Sequence, residues 1–66
     1  MLESGVIYST QVKLECVERE LRYRRRVYPR WIAEERISPH FAQEQIRIME
    51  QIAEDYRKME EGERLF

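Results

Sequence analysis

The sequence predicts an all-α protein, a helical hairpin of two amphipathic helices joined by a short helical turn. Three observations carry this. Apolar residues recur at helical spacing in two long segments, 9–28 and 39–61. Only two glycines and two prolines interrupt the 66 residues, while the helix-favouring Glu, Arg, Gln and Leu dominate. The punctuation also falls between the two segments, at Pro29 and at Ser38-Pro39.

The first eight residues lack helical periodicity, and Gly5 with Val6-Ile7-Tyr8 reads as a flexible lead or a short extended segment. Ser9 or Thr10 then supplies an N-cap. The first helix is expected to end at Tyr28, because proline disfavours the helical conformation in the residue before it. Projected at about 100° per residue, this helix carries two apolar stripes rather than one. Leu14, Val17, Leu21 and Tyr28 form the first; Val12, Cys16, Tyr23 and Val27 form the second. One neighbour needs one stripe, so two stripes predict two neighbours. Residues 29–37 read as a short helical turn carrying Trp31 and Ile32 inward, with Pro29 in its first turn. Ser38 then caps a second helix with Pro39 at its first position, and Gly62 ends it after Glu61, leaving 62–66 as a tail. On that helix Phe41, Ala42, Ile46, Ile48, Met49, Ile52, Ala53, Tyr56 and Met59 spread over an arc of about 160°, again too wide for one partner.

A chain of this length makes one domain, 1–66, and at this size one core rarely yields more than roughly 3–5 kcal/mol of net stability. Disulfides, metals or association usually supply the rest. Cys16 is the single cysteine and His40 the single histidine, which excludes an internal disulfide and falls short of a four-ligand zinc site. Association remains, most simply an antiparallel homodimer forming a four-helix bundle. No run approaches the roughly 20 apolar residues of a membrane span, and the N-terminus does not read as a secretory signal, so a cytoplasmic protein is expected. Charge is lopsided: Arg19 to Arg30 holds six arginines against one acid, and Glu34 to Glu63 holds nine acids against four bases.

The segments LRYRRRVYPRW at 21–31 and EQIRIMEQIAEDYRK at 44–58 resemble a group of small helical proteins encoded by phages and prophages. That group shares an RRRVYPRW-type stretch and a second block of the form EIxxMExIxxDYR. The likeness covers about residues 18–58 and leaves the first fifteen outside. It implies a phage accessory role in the cytoplasm of a bacterial host and transfers no site residue.

Among candidate functional residues the arginine stretch comes first. Arg19, Arg22, Arg25, Arg26 and Arg30, with aromatic rings beside them, could contact phosphates and stack on bases. The blander reading, a solvated face paired with Glu15, Glu18 and acids of the other helix, is favoured by the acidic pI near 5.8. Arg24, between the two stripes, is expected to pair with Glu20 or with an acid across an interface. Tyr23, Val27, Tyr28, Arg30 and Trp31 have the composition of a protein-interaction hot spot, though Trp31 is expected chiefly to close the open end of the helix pair. Gln45 either fixes register across a dimer or reaches the helix edge. His40 has no nucleophile or acid signalled beside it, and Cys16 reads as a small buried hydrophobe. Phosphate-binding loops, metal-ligand pairs and nucleophile elbows do not occur. The expectation is a non-enzymatic protein without cofactor or small-molecule substrate, acting on a host or phage protein or through self-association. A small nucleic-acid-binding regulator is the alternative, and a purely structural subunit is a third possibility.

Overall fold

The computed structural model describes residues 5–64. The first four positions of the expected lead and the last two of the tail lie outside them. Two helices fill most of the described chain: α1 (Thr10–Ala33) and α2 (Pro39–Arg64). They pack against each other as an all-α hairpin.

Ser9 starts α1. Its backbone is extended, and its hydroxyl accepts the Val12 N–H at 3.2 Å while its carbonyl accepts that of Lys13. This satisfies donors that have no partner inside the helix. Thr10, the other candidate cap, is already helical and donates its hydroxyl to Glu63 at 2.8 Å.

The expected stop at Tyr28 is corrected. Pro29 lies inside α1, which continues to Ala33, so no separate helical turn occupies 29–37. Proline removes the hydrogen bond to the Arg25 carbonyl. Pro29 is exposed, however, so water can reach that side of the helix. Continuing the helix also brings Trp31 and Ile32 against the buried cluster of Val27, Tyr28 and Ala42. Apolar burial there outweighs one lost hydrogen bond.

The helix ends instead in a Schellman turn. Glu35 has φ of 59°; its N–H goes to the Ile32 carbonyl and the Arg36 N–H to that of Trp31. In place of the apolar contact that usually accompanies this turn stands a cation–π contact. Arg36 places its guanidinium 4.7 Å from the centroid of Trp31. Ile37 then folds onto the buried cluster, and Ser38 caps α2 through the Phe41 N–H at 3.0 Å.

Gly62 does not end α2, which runs on to Arg64. A glycine within a helix costs about 1 kcal/mol relative to alanine but stops nothing unless the backbone turns left-handed there. Glu60 paired with Arg64 and Glu63 tied to Thr10 hold the last turn on both sides of it.

Leu14, Leu21 and Tyr28, spaced by seven, form the buried ridge of α1, and small residues, Ala42 and Ala53, meet it on α2. Among the described residues Ala53 is completely buried, and no large side chain is. The register is antiparallel: Thr10 reaches Glu63, Glu18 reaches Arg57 and Arg25 reaches Glu50. The Cα radius of gyration is 15.0 Å and the extents are 46 × 32 × 15 Å. A compact domain of this length has a radius near ~11 Å. The hairpin is a slab one helix thick.

Candidate interaction surface

A slab one helix thick has two broad faces, and they differ. With about 100° per residue, Glu18 and Arg25 lie to one side of the Leu14–Leu21–Tyr28 ridge, and Glu50 and Arg57 lie to the matching side of the Ala42–Ala53 line. These four form the cross-helix ion pairs, and Glu54 adds a second contact to Arg57. All are substantially exposed, so they orient the helices more than they stabilise them.

The opposite face is apolar. Phe41 (46%), Ile48 (47%), Ile52 (37%) and Met59 (51%) are all exposed and form one line along α2, about 100° round from its contact with α1. Half-buried Gln45 interrupts the line. From α1 this face receives Val17, Trp31 and the Glu20–Arg24 pair, closed at 2.9 Å as the sequence suggests for Arg24. The single over-wide face read from the sequence is therefore two. Ala42, Ile46, Met49, Ala53 and Tyr56 turn towards α1, and the other four do not.

The sequence-predicted interaction residues separate. Tyr23 and Arg30 are exposed, and Trp31 is half-buried, tilted against Tyr28 with ring centroids 5.6 Å apart. Val27 and Tyr28 are buried in the cluster that Ile37 and Ile46 complete, so they hold the hairpin together and offer nothing to a partner. The second stripe of α1 is thus broken: Val12, Cys16 and Tyr23 face outward while Val27 does not, because the chain after α1 folds back over its last turns. Cys16 is exposed, contrary to its reading as a buried hydrophobe.

Of the arginines, Arg25 is engaged with Glu50. Arg19, Arg22, Arg26 and Arg30 form a row along the back of α1, about 16 Å long at 1.5 Å per residue. Among the described residues none of the four makes an ion pair. The expected pairing with Glu15 and Glu18 does not occur, since Glu15 accepts from Gln11 and Glu18 binds Arg57. Arg26 lies 5.6 Å from the Tyr23 ring, and with Arg19 and Arg22 they line a shallow depression.

No family model matches the chain, and no curated protein or solved structure shows significant similarity to it. The surface is therefore read from its chemistry. Among the described residues no group of three or more His, Cys, Asp or Glu could hold a metal, and no helix is long and apolar enough to cross a membrane. His40 is exposed at the start of α2.

Sequence reasoning placed the candidate surface on α1 and the bend; it read Phe41, Ile48, Ile52 and Met59 as part of one over-wide face of α2 and named none of them as an interaction residue. The signal was available. Alanine at 42 and 53 marks the side of closest helix approach, which leaves the larger Phe41, Ile48, Ile52 and Met59 pointing elsewhere.

Proposed function

We propose that this chain acts by association rather than by chemistry, as a phage-type accessory protein in the cytoplasm of a bacterial host. Its apolar face docks on a protein surface. In the simplest form that surface is its own, two hairpins closing into a four-helix bundle. One observation carries the reading. Four large apolar side chains line up over about 27 Å of α2 on a face the hairpin itself does not use. An exposed apolar line of that length, interrupted only by Gln45 and Asp55, marks an interaction site in proteins that stay in solution. The test is sedimentation equilibrium beside chemical unfolding, with an Ile48→Glu, Ile52→Glu variant. Association or a bound protein lost in the variant supports the reading. A wild-type chain that stays folded and monomeric, binds no protein and gains stability from both substitutions overturns it.

A second reading has its own observation, the four arginines free of ion pairs along the back of α1. It is a small nucleic-acid-binding regulator that meets phosphates with Arg19, Arg22, Arg26 and Arg30. Four phosphate contacts give a slope of about −3.6 in log affinity against log salt on duplex DNA. Arg22→Glu with Arg26→Glu abolishes that binding. Absence of binding to duplex DNA or RNA at low salt removes this reading.

A further inference from the structure

We infer that the occupant of the apolar face is a second copy of this chain, laid antiparallel so that α2 packs on α2 about a two-fold axis level with Glu50. The inference rests on the reading of that face as a docking surface and specifies what docks there.

The positions along the outer line are 41, 45, 48, 52, 55 and 59, alternating steps of four and three, the spacing of a coiled-coil seam. Their chemistry reads the same from both ends: Phe41, Gln45, Ile48, then Ile52, Asp55, Met59. A two-fold interface is self-complementary, so if one residue meets a second, the second meets the first. Antiparallel pairing about position 50 sets Phe41 on Met59, Ile48 on Ile52, and the Gln45 amide, a donor, beside the Asp55 carboxylate, an acceptor. Parallel pairing would set Asp55 against its own copy, two like charges in a seam. A foreign partner requires no such symmetry of residue type.

The flanks agree. One flank of the seam, Ala42, Met49 and Tyr56, is turned towards α1. The other is Glu44, Gln51 and Lys58, exposed throughout. In the antiparallel arrangement Glu44 meets Lys58 of the second copy, twice by symmetry, and Gln51 meets Gln51 near the axis, where a charge would repel itself. Among the described residues neither Glu44 nor Lys58 makes an ion pair within the chain.

α1 carries the same symmetry independently. Arg25 binds Glu50 across the hairpin, so the axis passes close to Arg24. Val17 and Trp31 lie seven residues to either side of Arg24 on the apolar face. The two-fold that pairs α2 with α2 brings Val17 over Trp31 of the second copy. It also brings together two Glu20–Arg24 pairs, each acid offsetting both arginines.

Charge reversal at the flank tests this without touching the hairpin core. Sedimentation equilibrium is run on the wild type, Glu44→Lys, Lys58→Glu, the double reversal, and an equimolar mixture of the two single variants, with helicity checked by circular dichroism. The wild type is expected to be a dimer. Each single reversal creates two like-charge contacts and weakens dimerisation roughly tenfold. The double reversal restores it, and the mixture dimerises more tightly than either single variant alone. A wild type that is monomeric at high micromolar concentration overturns the inference and leaves the face to a foreign protein. A dimer in which single reversals have no effect, or in which the double reversal does not restore affinity, overturns the antiparallel register while the docking surface stands.

Discussion

Glu35 is the residue whose backbone least suits its side chain. At φ of 59° it occupies the left-handed position that ends α1, a place usually given to glycine. A residue with a Cβ there is strained by about 1 kcal/mol. Glu35→Gly is therefore expected to raise the free energy of unfolding by about 0.5–1 kcal/mol, measured by urea titration, although glycine loses more freedom on folding. A decrease would show that Glu35 makes a contact stronger than the strain. The same residue explains why the end of α1 was hard to read. Ser38-Pro39 announces the next helix with both a cap and a helix-starting proline, whereas the stop signal is a glutamate, indistinguishable by type from Glu34 beside it. The geometry is fixed instead by Arg36 lying over Trp31 and by Ile37 reaching the buried cluster, contacts that no local pattern encodes.

At the level of the helices, the periodicity and both helix starts were legible, and the two helix ends were not. The buried ridge Leu14, Leu21, Tyr28 lies on the first stripe read from the sequence, and the two-helix architecture follows from the period alone. Pro29 misled, because local backbone preference was overridden by burial two and three residues further on. Pro29→Ala should restore the bond to the Arg25 carbonyl and stabilise α1 by about 1–3 kcal/mol, with higher helicity in circular dichroism. If stability falls, the proline ring itself packs in a way that matters. Ala53 is the opposite case, a modest residue with a large role. It is wholly buried against α1, so Ala53→Leu must push the helices apart. The expected loss is about 1–3 kcal/mol in urea unfolding, and an unchanged midpoint would mean that the helix pair is looser than its geometry. Hydropathy alone does not separate alanine from larger apolar residues, which is why the inward and outward halves of α2 merged into one wide face until residue size was weighed with it.

For the whole molecule the controlling fact is thickness. With extents of 46 × 32 × 15 Å and six buried apolar residues among those described, two of them alanines, the hairpin has a contact line rather than a core with two sides. Burial on that scale barely exceeds the entropy of ordering so long a chain segment. Stability should then depend on what covers the apolar face. If a second copy covers it, folding and association are one equilibrium, and the unfolding midpoint must rise with protein concentration. Each tenfold increase in concentration is worth about 1.4 kcal/mol of apparent stability for a dimer that unfolds to single chains. Thermal unfolding followed from a few micromolar to several hundred micromolar reads this directly. Ile48→Glu, at the centre of the outer line, should remove the concentration dependence and lower the midpoint together, because it places a carboxylate against Ile52 of the second copy. A wild-type midpoint independent of concentration, with high helicity retained at the lowest concentration, would mean that the contact line of Leu14, Leu21, Tyr28, Ala42 and Ala53 suffices by itself. The apolar face would then be a surface kept open for another protein rather than half of a core.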